Sequence, residues 1–152
     1  MRKVVLMSLF AIFGLMVVQS CEKGGKNERK VSSHGGDDSH NMGLNCMSCH
    51  VKKGQGEGWF VVAGTVYKPN LTQTLPNSTV RLYTGPNGTG TVARTIEVDA
   101  NGNFYTTEDL DFGNGLYPSV QGPTSTKYMS TPITVGTCNN CHGQSTDRIW
   151  GE

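Results

Sequence analysis

The chain has 152 residues, with 13 Lys and Arg against 12 Asp and Glu, a formal charge of +1, and five cysteines. A balance this close to neutral argues against nucleic acid as a partner, because its binders carry clustered basic surface. It selects no strongly acidic or basic partner either.

Residues 1–20 read as an export signal. Arg2 and Lys3 open it, and Val4 to Val18 is almost continuously apolar, broken by Ser8 and Gly14. That run is short for a membrane span, which needs about 20 apolar residues. Val18-Gln19-Ser20-Cys21 instead resembles a bacterial lipobox, in which the cysteine is lipidated and becomes the new N-terminus. The expectation is a lipid anchor at Cys21 in the bacterial cell envelope. Glu22, where an aspartate would mark inner-membrane retention, favours the outer membrane. Cleavage removes two of the 13 basic side chains and none of the 12 acidic ones, so the formal charge falls from +1 to −1.

Residues 21–43 are rich in Gly, Lys, Ser, Asp and Asn, with Val31 and Met42 as the only large apolar side chains. Such a composition buries too little apolar surface to offset chain entropy, so the segment is expected to be a flexible, lipid-anchored tether.

Residues 44–58 contain Cys46-Met47-Ser48-Cys49-His50, and residues 136–152 contain Cys138-Asn139-Asn140-Cys141-His142. C-x-x-C-H is the attachment signature of c-type haem. Two residues between the cysteines match the spacing of the porphyrin vinyl groups, and the next histidine is placed over the iron. The pattern predicts two covalently bound haem c groups, held by Cys46 and Cys49 and by Cys138 and Cys141. His50 and His142 are the expected proximal ligands. With Cys21 lipidated, no thiol is left over, and export supplies the compartment in which covalent haem is assembled.

Residues 59–135 carry a β pattern. Trp59–Tyr67 reads as a strand rich in Val and aromatic residues. Thr79–Thr84 alternates, with Val80, Leu82 and Thr84 on one face. Thr91–Val98 alternates through Val92, Arg94, Ile96 and Val98. Asn103–Thr107 follows Asp99-Ala100-Asn101-Gly102, a hairpin signal. Leu116–Val120 and Tyr128–Val135 are two more strands, which Pro118 and Pro132 push toward sheet edges. The sum is a mainly β fold, a sandwich of six or seven strands with a haem-binding segment at each end. About 75 residues make a marginal isolated core, so haem is expected to add burial.

Ala63-Gly64-Thr65-Val66-Tyr67, Asn77-Ser78-Thr79-Val80-Arg81-Leu82 and Asp99-Ala100-Asn101-Gly102-Asn103-Phe104 resemble landmarks of the carboxypeptidase regulatory-like family over residues 59–121. That resemblance implies a transthyretin-like, Ig-like β-sandwich serving as scaffold or binding module. It implies no peptidase activity, and no H-E-x-x-H occurs.

The four histidines are His34, His40, His50 and His142, and two haems offer four axial positions. His40 and His34 are therefore the candidate distal ligands, with Met42 and Met129 competing for the same role. No His, Met or Cys follows His142 in the sequence, so its iron is expected to draw a distal ligand from earlier in the chain.

Two C-x-x-C pairs could also form a zinc site or redox disulfides. The long loop from Cys49 to Cys138 and the unexplained histidines weigh against zinc, and the missing βαβ context weighs against thiol–disulfide chemistry. The chain resembles a dihaem c-type cytochrome lipoprotein. It is expected to carry electrons between redox proteins of the envelope rather than to catalyse a reaction. The alternatives are a haem enzyme reducing peroxide or a small oxyanion at an open iron, and a surface-binding module.

Overall fold

The computed structural model describes residues 27–152. The expected export signal, the expected lipidation site Cys21 and the first part of the expected tether lie outside the described residues.

Seven strands follow in chain order: β1 (Val62–Thr65), β2 (Thr79–Tyr83), β3 (Val92–Glu97), β4 (Asn103–Thr106), β5 (Tyr117–Gln121), β6 (Thr126–Tyr128) and β7 (Gly136–Thr137). They form a three-stranded sheet in the order β4-β1-β7 and a four-stranded sheet in the order β3-β2-β5-β6. The β1–β7 pair is parallel and every other pair antiparallel. Among the described residues there is no α-helix, and no helix long and apolar enough to cross a membrane.

The sheets meet through Val62 and Val66 around β1, Val80 and Leu82 of β2, Ile96 and Val98 of the β3 segment, Phe104 of β4, and Val120 of β5. In β2 the alternation is as expected: Val80 and Leu82 are buried while Arg81 and Tyr83 are half-buried. Period-two geometry sends alternate side chains to opposite faces, which puts that apolar pair on the inner one. Gly64 stands opposite Phe104 in the β1–β4 ladder, where an added Cβ would come within 2.6 Å of the phenyl ring. The missing side chain lets the ring lie across β1.

Three expectations are revised. Asp99–Gly102 is not a hairpin turn, because β3 and β4 belong to different sheets. The Asp99 carboxylate accepts from the N–H groups of Asn101 and Asn103, both at 2.9 Å, and so carries the chain from one sheet to the other. Pro118 lies inside the sheet, since β5 runs between β2 and β6. Its carbonyl accepts from Met129 N–H at 2.9 Å. In a strand the N–H and C=O of one residue point to the same side, so the missing donor faces the end of β6, beyond the last paired residue. Of the expected strand Tyr128–Val135, only Tyr128 lies in a strand, and around Pro132 a single bridge pairs Ile133 with Leu116.

The described part of the tether, residues 27–43, also differs from expectation, because it is docked. Val31 bridges Thr106, Thr107 N–H donates to the Lys30 carbonyl at 2.9 Å, and Ser32 N–H donates to the Tyr105 carbonyl at 3.0 Å. These bonds cover the free edge of β4, which would otherwise present unpaired backbone groups. Arg29 and Arg94 both reach the Glu108 carboxylate. The Arg29 hydrogen bond holds that carboxyl below its ordinary value, with Arg94 adding to it.

Phe104 is 2% exposed and fills the space over Gly64, so Phe104→Ala should lower the unfolding free energy by about 3–5 kcal/mol. Denaturant titration of the mature chain measures this, and a loss below about 1 kcal/mol would contradict the packing described.

Candidate haem-attachment site

The two pentapeptides fold alike. Cys46–Ser48 and Cys138–Asn140 each form one 3₁₀ turn. In the first, Cys49 N–H and His50 N–H both donate to the Cys46 carbonyl, at 3.2 and 3.0 Å. In the second, Cys141 and His142 make the same two bonds to the Cys138 carbonyl, at 3.2 and 3.0 Å. The turn curls each second cysteine and its histidine back over the first cysteine.

The histidines are then fixed by different loops to the same end. His50 Nδ1 lies 3.1 Å from the Glu57 carbonyl and 3.3 Å from that of Gly58. His142 Nδ1 lies 2.7 Å from the Asp147 carbonyl. A carbonyl only accepts, so Nδ1 is the donor in both rings, and in the neutral tautomer this leaves Nε2 as the acceptor. That is the orientation a metal-ligating histidine takes from its outer partners. Around His50 the packing is close: Phe60 stacks on the ring at a centroid distance of 4.3 Å, and Tyr105 stacks on Phe60 at 4.8 Å. On another side Gly56 gives only backbone, since a Cβ there would sit 2.6 Å from His50 Nδ1.

All four thiols are free, with Cys49 and Cys141 exposed and Cys46 and Cys138 partly buried. Burial pushes the Cys138 thiol up to about 12, and the neighbouring Cys46 adds to the effect. Burial also raises the Cys46 thiol. Among the described residues no group of three or more His, Cys, Asp or Glu side chains is placed to hold a metal ion by itself. Each motif offers two thiols and one imidazole, a donor set that fits a cofactor with equatorial ligands of its own.

The segments lie side by side through a buried polar network that the sequence did not reveal. Asn139, 3% exposed, is the first residue between the cysteines of the second motif. Its amide accepts from Thr65 N–H at 3.2 Å and donates to the Leu44 carbonyl, just before the first motif, at 3.0 Å. The Thr65 hydroxyl donates to Asn103 Oδ1 at 2.6 Å and accepts from Gly43 N–H at 2.9 Å. Asn103 Nδ2 in turn donates to the His40 carbonyl at 3.2 Å and to Ser39 Oγ at 2.9 Å.

That network sets His40 beside the first motif, with its ring centroid 6.0 Å from that of His50. Two imidazoles on one metal, each bonded at about 2.0 Å, have centroids about 6 Å apart. His34 is placed elsewhere. Its Nε2 lies 2.9 Å from the Ser78 carbonyl, and its N–H donates to Glu97 at 2.8 Å. Met42 is exposed beside Tyr67 and Arg148.

Beside the second motif a cavity of about 630 Å³ reaches between the sheets. Cys138, Cys141 and His142 line it, as do the core residues Leu82 and Phe104. Ser119, 2% exposed, lines it too, and its hydroxyl has no hydrogen-bond partner. Cofactor pockets commonly measure about 300–1,000 Å³ and are mostly apolar with a few polar groups.

Two measurements check this geometry. Asn139→Ala strands the buried Thr65 N–H, and should cost about 1–3 kcal/mol in chemical unfolding of the mature chain. In the haem-free chain, Cys138 should alkylate far more slowly than an ordinary thiol, since a pKa of about 12 against 9.0 leaves about a thousandth of the thiolate. Mass mapping after brief alkylation at mildly alkaline pH reads this out, and equal labelling of the four motif cysteines would contradict it. No family model matches the chain, and no curated protein or solved structure shows significant similarity to it.

Proposed function

We propose that this chain is a membrane-tethered dihaem c-type cytochrome that carries electrons between redox proteins of the bacterial envelope. The observation that carries the reading is the shared geometry of the two pentapeptides. Each is curled by the same 3₁₀ turn, and each histidine has Nδ1 bound to a backbone carbonyl and Nε2 free. Loops of different sequence converge on this one result, which a chance C-x-x-C-H would not require.

In this reading Cys46 and Cys49 form the thioethers of the first site, and Cys138 and Cys141 those of the second. His50 and His142 are the proximal ligands, and His40 is the distal ligand facing His50. The haem iron, when bound, supplies a one-electron couple. The chain's own residues set where that couple sits and what surrounds it. Phe60 and Gly56 hold the His50 ring in one orientation, and the turn from Gly143 to Asp147 does the same for His142. With Asn139 joining the segments, the two attachment points are held at a fixed, short separation, as direct exchange between carriers requires.

The sandwich is the scaffold, and its resemblance to the transthyretin-like carboxypeptidase regulatory-like family fits a supporting role. Two sheets that share one hydrophobic core position both sites. Lipidation of Cys21 would keep this rigid module at a membrane surface while leaving it in water.

Haem staining after denaturing electrophoresis, with intact mass, should show two covalent haems per mature chain. A Cys138→Ser, Cys141→Ser double substitution should leave one. His40→Ala should turn one of the two irons high-spin and able to take up an added ligand such as imidazole. A chain that stains for no haem would sink the reading, and a first iron already high-spin before substitution would remove His40 from it.

A further inference from the structure

The second site lacks what the first one has: no second histidine approaches His142. His40 faces His50, and the Nε2 of His34 is engaged at the Ser78 carbonyl. The cavity that contains His142 is nevertheless lined by a soft donor, Met129. This residue follows β6 directly and is anchored by its N–H to the Pro118 carbonyl at 2.9 Å. The residue is half-buried, and Pro132, Ile133 and Trp150 line the same cavity.

The other lining groups able to bind a metal are less suited. Lys127 is already engaged, 3.0 Å from Glu152 and 3.9 Å from the centre of the Trp150 ring. Tyr128 has its phenol tip at Gly88, where an added Cβ would come within 3.0 Å of the hydroxyl oxygen. The Asp147 carboxylate and Thr146 hydroxyl are hard oxygen donors, less suited to haem iron than a thioether.

We propose that Met129 is the distal iron ligand of the second site, so that the two irons are unlike: two imidazoles at the first, imidazole and thioether at the second. This rests on the dihaem reading above. Thioether ligation raises the potential relative to bis-histidine, because sulfur favours the reduced, ferrous state. The second iron is then the resting place of the electron, and the first is the more reducing of the pair. An electron arriving at His50–His40 runs downhill to His142–Met129 within one molecule. The Ser119 hydroxyl, orphaned in the same cavity, is positioned to meet a polar group of the bound cofactor.

The test uses the mature, haem-loaded chain. Intact mass comes first: anything other than two haems per chain overturns the dihaem reading, and only a two-haem protein tests Met129. Optical redox titration should then resolve two separate one-electron steps. The ferric spectrum should show the weak near-red absorption of sulfur bound to ferric haem. Met129→His should abolish that absorption, lower the upper step toward the other one and keep both irons low-spin. Met129→Ala should abolish it and leave one iron high-spin. Met42→Leu should change neither. The assignment is overturned if the two-haem protein lacks the near-red absorption, if it survives Met129→His, or if Met42→Leu removes it. Should Met129→Ala fail to fold, the histidine variant still decides.

Discussion

The arrangement turns on a few hydrogen bonds among three buried side chains, Asn139, Thr65 and Asn103. Buried amides and hydroxyls are expensive to leave unpaired, and the low local dielectric that makes them so also strengthens the bonds they form. Each member here reaches toward a different piece of the candidate sites. Asn139 belongs to the second motif and holds the Leu44 carbonyl, the Thr65 hydroxyl accepts from Gly43, and Asn103 holds the carbonyl of His40. Thr65 and Asn103 are opposite partners in the β1–β4 ladder, so the register of two strands sets the spacing between the motifs. A slip of that register by one residue would leave Thr65 and Asn103 on opposite faces and break the link between them.

From that node the two sites diverge. The first motif lies over the outer face of the three-stranded sheet, where Tyr105 points away from the core beside inward-facing Phe104. The second borders the space between the sheets, and residues of the hydrophobic core line its cavity. One scaffold thus offers a site on a sheet surface and a site within the sandwich. Burial in a dry, apolar setting penalises the more highly charged state of any group placed there. For an iron porphyrin that disfavours the oxidised form, the same direction in which a thioether acts.

Much of this was legible in the sequence, for identifiable reasons. The C-x-x-C-H motifs are local and have one spacing. The alternation in Thr79–Thr84 returned β2 with the correct face inward, because Val80 and Leu82 have no other way to leave water. What was hidden depended on partners far along the chain. Residues 27–43 looked like a solvated tether, since composition counts apolar side chains, and this segment docks through backbone bonds to β4 and the Asn101 and Asn103 amides. Pro118 looked like an edge marker because the sequence does not show which side of a strand lacks a neighbour. Asn139 gave no signal at all. An asparagine between two cysteines has no periodicity, and its partners Thr65 and Leu44 lie more than 70 residues away in the chain.

The cavity also bears on how the fold closes. Val62, Val80, Leu82, Phe104 and Val120 are counted in the core, yet each also lines the space beside Cys138 and His142. A core that borders a cavity loses contact energy in proportion to the space left empty. Filling it with a rigid apolar ring returns those contacts to all five side chains at once. A group that binds the folded chain and not the unfolded one stabilises the fold by mass action, and covalent attachment replaces its free concentration by a fixed local one. The β1–β7 pairing that carries Cys138 into place is only two residues long, Val62 with Gly136 and Ala63 with Thr137. So short a parallel pair is weak alone, and Asn139 on one side and an occupant of the cavity on the other would hold it. If haem is attached as proposed, attachment at the second motif would be part of closing the sandwich, whereas the first motif rests on a sheet that is already paired.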